Sequence, residues 1–223
     1  MGGGGAVGLF GKLPARRDYV QHGVEPRLMR VIDPWLQSAV RESRCALGEA
    51  WLGRYLAAPI WRFWLGPGVC GTPVLGALMP SVDGIGRYFP LCLLGAFNVP
   101  PPELDEQAEW FAAVEALMLA VLAEGGTYEA LLAGLAALPL PRSTSVAPKE
   151  PASVRNAFAA LRQAETGAFY DRCTCWWVPS PDGARPPRVL VRRGLPTPVE
   201  YAAMLAPDGE QKSPAPRTIG QAS

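Results

Sequence analysis

The chain has 223 residues, of which 49% are apolar and 18% are charged, and its formal net charge is +1. This length and apolar content are sufficient for one large domain with a substantial core. The near-neutral charge argues against broad nucleic-acid binding and against a polybasic membrane patch, because both need a dense basic surface.

Membrane-spanning and secreted proteins are also not expected. The longest apolar segment, residues 111–123, contains Glu115 and is shorter than the roughly 18 residues that a membrane-spanning helix needs. The N-terminus has neither the charged region nor the long apolar region of a secretory signal. We therefore expect a cytoplasmic protein without direct membrane insertion.

The first half of the chain alternates between strand and helix patterns. A first strand is predicted at residues 7–10, and Asp33 and Pro34 have the residue types of a helix N-cap and a first helical position. Gly48 is expected to end or bend that helix. After it the pattern predicts a helical segment up to Pro59 and a meander of three strands, at residues 60–65, 74–78 and 91–97.

The second half begins with a long helix predicted from about Glu103 to Glu124. Residues 140–151 are rich in Pro, Ser and Thr, which predicts a loop. The other predicted elements are helices at residues 128–138, 152–164 and 198–205 and strands at residues 173–178 and 189–192. We expect residues 1–206 to form one domain and residues 207–223 to form a disordered C-terminal tail. Interleaved strands and helices indicate an α/β or α+β class with a mixed sheet.

The residue types needed for metal binding and nucleophilic catalysis are scarce. The five cysteines are an odd number, His22 is the sole histidine, and no C-x-x-C pair occurs, so we expect no metal site and reduced cysteines. A Ser-His-Asp centre would need His22, which lies in a polar segment and is expected to be an ordinary surface residue. A pair of His22 with Cys173 or Cys175 is compatible with the composition but has no local support.

Two adjacent tryptophans, Trp176 and Trp177, lie in a predicted strand. Successive side chains of a strand point to opposite faces of the sheet. One tryptophan should therefore be exposed or be covered by another element, and an exposed one would indicate an interaction surface.

The stretch Met79–Pro90 separates two predicted strands and is unusually rich in functional groups. Its Asp83-Gly84 dipeptide is typical of a tight hairpin, because glycine adopts positive φ without strain. The loop presents Ser81, Asp83 and Arg87 at a strand end, where functional groups are often placed. A pair between Asp83 and Arg87 has two open interpretations: it ties the turn together, or its side chains bind a partner.

A second polar stretch, residues 11–20, follows the first predicted strand. It places three basic residues and one acid around a proline, namely Lys12, Arg16, Arg17 and Asp18. The Gly-Lys pair within it does not form a phosphate-binding P-loop, because Leu13 stands where that motif requires Ser or Thr.

Two motifs in these stretches are specific: Met-Pro-Ser-Val-Asp at residues 79–83 and Gly-Arg-Tyr-Phe-Pro at residues 86–90. Further matching segments are residues 8–20, 59–63, 176–177 and 193–196. Together they resemble the TagF (ImpM) family of type VI secretion-associated proteins, over about residues 7–205. One departure is Arg17, where the family pattern has glycine. If that position needs positive φ, the arginine is strained.

The resemblance implies a layered α/β sandwich with a mixed, largely antiparallel central sheet flanked by helices. It implies a cytoplasmic, post-translational negative regulator of the assembly or firing of the type VI secretion system. Such a repressor acts by protein–protein interaction, through binding an FHA-domain scaffold protein. The family has no established catalytic residues, so the resemblance implies no enzyme activity and no cofactor.

We hypothesise that the two polar stretches lie together at one end of the sheet and bind this partner. The candidate partner-binding residues are Lys12, Arg16, Asp18, Ser81, Asp83, Arg87 and Tyr88. The alternative is a phosphate- or nucleotide-binding enzyme that uses the Lys12/Arg16 and Asp83/Arg87 loops. A third interpretation is a structural component of the secretion apparatus.

Overall fold

The computed structural model describes residues 5–102, 107–123, 126–141, 170–180 and 187–206. The predicted helix at residues 152–164 and the predicted tail at residues 207–223 lie outside the described residues, as does most of the predicted loop at residues 140–151.

Seven strands form one sheet in which every described pairing is antiparallel. The strands are β1 (Gly8–Gly11), β2 (Val20–His22), β3 (Trp61–Leu65), β4 (Val74–Met79), β5 (Leu91–Ala96), β6 (Cys173–Val178) and β7 (Arg188–Arg193). Their order across the sheet is β2-β1-β5-β4-β3-β6-β7. The predicted meander is therefore the centre of the sheet, because β3, β4 and β5 pair in sequence order.

Helices cover both faces of the sheet. They are α1 (Pro26–Leu47), α2 (Trp51–Ala57), α3 (Pro67–Cys70), α4 (Ala108–Leu122), α5 (Tyr128–Ala137) and α6 (Pro198–Met204), with a 3₁₀ turn at Gly48–Ala50. One core layer joins the sheet to α1, α2 and α6, and the other joins it to α4 and α5. This confirms the predicted layered α/β sandwich with a largely antiparallel sheet.

Side-chain alternation along the strands divides the core into these two layers. Phe63 of β3 packs on the α1 side, whereas its neighbour Trp64 packs on the α4 side. Trp176 and Trp177 of β6 lie on opposite faces, as predicted, and both are buried. Trp176 is covered by Trp35 of α1 at a ring distance of 5.2 Å, and Trp177 contacts a ring of α4 at 5.1 Å. Neither tryptophan is an exposed interaction surface.

The predicted start of the first helix at Asp33 and Pro34 is wrong. Helix α1 begins at Pro26, which takes the first helical position, and Pro34 lies inside the helix. The buried residues Leu28 and Ile32 extend the apolar stripe of the helix toward its N-terminus. Burial of that stripe outweighs the backbone hydrogen bond that an internal proline removes.

Other helix boundaries also differ from the expectation. Gly48 ends α1 at a φ of 51°, as predicted. Helix α4 begins at Ala108 instead of about Glu103, after Gln107 in the left-handed region, and residues 103–106 lie outside the described part of the chain. The short helix α3 was not predicted.

A partly buried ion pair links the sheet to α4. Arg62 of β3 donates to both carboxylate oxygens of Glu115, from Nε at 2.6 Å and from Nη2 at 2.9 Å. The Arg62 guanidinium also lies 5.1 Å from the ring centre of Phe111. Two parallel hydrogen bonds fix both the position and the orientation of the charged groups.

We expect Glu115→Ala to lower the free energy of unfolding by about 3 kcal/mol, because it leaves the buried Arg62 guanidinium uncompensated. The double variant Arg62→Met with Glu115→Leu should lie within about 1 kcal/mol of the wild type, because it removes both charges. Chemical denaturation measures both values. Glu42→Ala, which removes an exposed pair with Arg41, is the control and should cost less than about 1 kcal/mol. Equal losses of unfolding free energy in Glu115→Ala and Glu42→Ala would show that pairing with Glu115 does not stabilise the fold.

Candidate functional site

The two polar stretches of the sequence contact each other at one end of the sheet. We call residues 12–19 the N-terminal loop and residues 80–90 the hairpin loop. Gly11, the last residue of β1, and Met79, the last residue of β4, both pair with Leu91 of β5. The loops that follow these two strands are therefore neighbours, although about 70 residues separate them along the chain.

The carboxylate of Asp83 is the hydrogen-bonding centre of both loops. Oδ1 accepts from the backbone N–H of Ile85 at 3.1 Å and from that of Arg87 at 2.8 Å. Oδ2 accepts from Lys12 Nζ at 2.8 Å and from Arg87 Nε at 2.6 Å. The Asp83 side chain is 0% exposed and that of Lys12 is 5% exposed. The carboxylate is therefore fully hydrogen-bonded and closed to solvent.

The partners of Asp83 determine its charge state. Burial alone would raise the pKa of the Asp83 carboxyl. The hydrogen bonds from Lys12, Arg87 and Ile85 outweigh burial and hold that pKa well below its ordinary value. Asp83 is therefore an ionised structural group and not a proton donor or acceptor near neutral pH.

Ser81 connects the same loops to helix α2. Its Oγ donates to the backbone carbonyl of Lys12 at 2.7 Å. The hydroxyl of Tyr55 donates to the carbonyl of Ser81 at 2.9 Å and accepts from the N–H of Ser81 at 2.9 Å. Burial raises the pKa of Tyr55 far above its ordinary value, so the hydroxyl stays protonated and keeps donating.

Two glycines shape the hairpin loop in different ways. Gly86, and not Gly84 as the Asp-Gly dipeptide suggests, adopts the positive φ of this turn, at 85°. Gly84 is instead a point of close approach. Its N–H donates to the carbonyl of Arg16 at 2.8 Å, and an added Cβ would lie 3.0 Å from the carbonyl oxygen of Pro14.

Arg17, where the family pattern has glycine, is not strained. Among the described residues, Gln107 is the sole non-glycine residue with positive φ. The side chain of Arg17 is exposed, and its carbonyl accepts a hydrogen bond from Nη2 of Arg87. The arginine therefore needs no positive φ at this position.

The structure brings the seven predicted partner-binding residues together but divides them by exposure. Lys12, Ser81 and Asp83 are buried, whereas Tyr88 is half-buried and packs against rings of α2. The exposed members are Arg16, Asp18 and Arg87. Lys12, Ser81 and Asp83 thus hold the loops in place, and the exposed residues are the ones that can touch a partner.

Three further exposed residues beside them were missing from the sequence-based set: Arg17, Tyr19 and Ile85. We call these six exposed residues, Arg16, Arg17, Asp18, Tyr19, Ile85 and Arg87, the loop face. Tyr19 and Ile85 are large apolar side chains left half exposed in polar loops. In the sequence, each of them can be recognised as a single apolar residue within a charged turn.

Helix α5 contributes the support for Arg16. Arg16 Nη2 donates to Glu129 Oε1 at 2.8 Å, and its guanidinium lies 4.6 Å from the ring centre of Tyr128. Local sequence patterns carry no signal for this contact, because the two partners are 113 residues apart.

In the part of the chain that the structure describes, the other candidate groups of the sequence, His22 and the cysteines of β6, lie apart from each other. No group of three or more metal-ligating side chains occurs among the described residues. His22 is exposed on β2, and four strands separate β2 from β6, which carries Cys173 and Cys175. A Cys-His pair is therefore excluded. The two cysteines lie on the same side of β6, with sulfur atoms 3.6 Å apart in the core. Within the described residues, no helix has the length and apolar character to cross a membrane.

We expect Asp83→Asn to lower the melting temperature by roughly 10 °C at neutral pH, because an amide cannot compensate the buried Lys12 ammonium. A depressed folded-state pKa makes the stabilising contribution of Asp83 complete above about pH 4, the ordinary Asp pKa, and diminishing below it. The difference between the wild type and Asp83→Asn should therefore narrow as the pH falls from about 4 to 2.

Asp18→Asn is the matched control for this thermal unfolding series. The Asp18 carboxylate is 94% exposed and lies 3.6 Å from Arg87. Its replacement should change the melting temperature by less than about 3 °C. A constant difference between the wild type and Asp83→Asn across the acid range would show that the charge of Asp83 does not stabilise the fold.

Comparisons with known proteins agree with this architecture. The family model of the TagF N-terminal domain, type VI secretion system-associated, matches residues 8–138, which include both loops. The crystal structure of PA0076 from Pseudomonas aeruginosa PAO1 superimposes with a TM-score of 0.70 at 31% identity, covering 95% of this chain and 99% of that chain. No curated protein matches the chain. The chain belongs to the TagF N-terminal domain family, which is associated with type VI secretion.

Proposed function

We propose that the chain is a post-translational negative regulator of type VI secretion system assembly or firing. It acts in the cytoplasm by binding an FHA-domain scaffold protein through the loop face, and it has no catalysis of its own. The observation that carries this proposal is the division of the charged loop residues into a buried group and an exposed group. Lys12 and Asp83, the residues that could take part in catalysis, are buried and hydrogen-bonded to each other. The exposed charged residues lie around apolar side chains.

The composition of the loop face suits a protein partner. Arg and Tyr are enriched among the residues that dominate binding energy at interfaces, and apolar side chains exclude water around them. Three arginines, one aspartate, one tyrosine and one isoleucine make up this face. A reaction centre would instead need a cleft with unpaired functional groups.

Two arginines of the loop face are held by contacts within the fold. Arg87 is held by Asp83 and by the carbonyl of Arg17, and Arg16 is held by Glu129 and by the ring of Tyr128. Binding orders long side chains at a cost of roughly 0.5–1.5 kcal/mol each. Arginines already fixed by the fold lose less freedom on binding, which favours a specific interface.

The same geometry weighs against the phosphate- or nucleotide-binding alternative. A phosphate would have to compete with Asp83 for the Lys12 ammonium, at 2.8 Å, in a site that solvent does not reach. Ionised Asp83 would also repel it. The third interpretation, a structural component of the apparatus, has no specific observation in its favour.

Arg16→Ala tests the loop face. We expect it to weaken binding to the purified cognate FHA-domain protein about tenfold, because truncation of an interface arginine typically costs more than 1 kcal/mol. In a deletion strain, this variant should fail to restore repression, so secretion should stay high. Calorimetry and a secretion assay measure the two effects.

Arg27→Ala on α1 is the matched control. Its side chain is 44% exposed and pairs with Glu25 at 3.7 Å, against 45% and 2.8 Å for Arg16 and Glu129. It should bind the scaffold and repress secretion as the wild type does. Equal binding by both variants, with both folded, would remove Arg16 from the interface.

A thermal melt with nucleotides and Mg²⁺ tests the alternative. A ligand at 100 times its Kd stabilises a protein by about 2.7 kcal/mol, which raises Tm by roughly 5–10 °C for a chain of this size. We expect no shift for ATP, GTP or inorganic phosphate. A shift of that size, lost in Lys12→Met, would favour the enzyme.

A further inference from the structure

The three arginines of the loop face differ in what the fold already provides for them. Arg16 pairs with Glu129 at 2.8 Å, and Arg87 pairs with buried Asp83 at 2.6 Å. The side chain of Arg17 is exposed, and within the described part of the chain it makes no hydrogen bond, ion pair or ring contact. Arg17 is therefore the loop-face arginine whose guanidinium the fold leaves unpaired.

The backbone that carries Arg17 is held in place although its side chain is not. The carbonyl of Arg16 accepts from the N–H of Gly84 at 2.8 Å, and the carbonyl of Arg17 accepts from Nη2 of Arg87. The N–H of Arg16 donates to the carbonyl of Leu13 at 3.0 Å. These hydrogen bonds fix the chain from which the Arg17 side chain extends, so its guanidinium reaches only a limited region beside the hairpin loop.

Asp18, the acidic residue of the loop face, pairs with a different arginine. Its carboxylate lies 3.6 Å from the Arg87 guanidinium and is 94% exposed. Arg87 thus has two carboxylates of the fold near it, Asp83 and Asp18. The anion that would complete the pairing of Arg17 has to come from outside the described residues.

Two apolar side chains lie close to this unpaired charge. Tyr19 is 51% exposed and stands two residues after Arg17, and Ile85 is 55% exposed and follows Gly84, which binds the neighbouring carbonyl. An exposed ion pair contributes little to binding in water. A partner that covers Tyr19 and Ile85 excludes water from the neighbouring guanidinium, and an ion pair is stronger at a lower effective dielectric constant.

The number of unpaired cations indicates which kind of anion fits. A guanidinium binds one carboxylate through two parallel hydrogen bonds and matches its single charge. A phosphate group carries up to two charges and nucleic acid carries one at each nucleotide, so both are better matched by several unpaired cations. Among the described residues of the loop face, Arg17 alone meets this condition, because Arg16 and Arg87 are engaged with carboxylates of the fold.

We propose that Arg17 selects the partner of the loop face by pairing with an Asp or Glu side chain of that partner, next to an apolar residue that covers Tyr19 or Ile85. The inference rests on the proposed function, because it names the chemistry that the scaffold protein presents to this surface. Arg16 and Arg87 then contribute contact area, and Arg17 contributes the recognition of charge.

Three replacements of Arg17 separate its charge from its size. In calorimetric titrations with the purified cognate FHA-domain protein at low salt, we expect Arg17→Lys to bind about threefold and Arg17→Gln about tenfold more weakly than the wild type. Arg17→Glu should bind at least about 100-fold more weakly, because it brings like charges together. Added salt should weaken binding of the wild type more than binding of Arg17→Gln. Equal binding by all four proteins would overturn the proposal.

Arg172→Glu is the matched control. The Arg172 side chain is also exposed without a partner in the described part of the chain, and its carbonyl also accepts a hydrogen bond, from Gly194 at 2.8 Å. It lies at the opposite end of the sheet, because Thr174 of β6 pairs with Leu65, which pairs with Val74, the first residue of β4. This variant should bind as the wild type does. An equal loss in Arg172→Glu and Arg17→Glu would show a general charge effect and contradict the proposal.

Charge reversal in the partner identifies the carboxylate. Each exposed Asp and Glu of the scaffold protein is changed to Arg in turn and titrated against Arg17→Glu. We expect one such scaffold variant to regain at least about tenfold in affinity for Arg17→Glu and to bind wild-type Arg17 more weakly than the unchanged scaffold does. Failure of every scaffold variant to regain affinity would overturn the proposal.

The same titrations distinguish failure of this inference from failure of the proposed function. Weakened binding by Arg16→Ala together with unchanged binding by Arg17→Glu would overturn the role of Arg17 and leave the loop face as the docking surface. Absence of binding between the wild-type chain and the unchanged scaffold would overturn the proposed function and this inference with it.

Discussion

The buried carboxylate of Asp83 holds one end of this molecule together. It joins the N-terminal loop through Lys12 and closes the hairpin loop through the backbone of Ile85 and Arg87. A carboxylate has room for about four hydrogen bonds, and Asp83 accepts four. Because every acceptor position is used, the negative charge is stable without water, and the two loops have one relative position.

A buried ion pair of this kind contributes more to a unique arrangement than to net stability, because desolvation offsets much of the attraction. Its effect reaches the surface through Arg87, whose guanidinium contacts both Asp83 and the carbonyl of Arg17. The same residue is part of the buried network and part of the exposed loop face. The network thereby joins two irregular segments to each other, and side chains held in this way lose less freedom when a partner binds.

The sequence predicted the elements whose signal is local and missed the features that depend on the assembled fold. Apolar runs located β3, β4 and β5, and Gly48 marked the end of α1. The start of α1 was missed because a local cap signal at Asp33 competes with burial of Leu28, which only the sheet makes favourable. Asp83 and Arg87 were expected to be close because they are four residues apart. The third member, Lys12, lies 71 residues away, and no local pattern could show that it would bury Asp83.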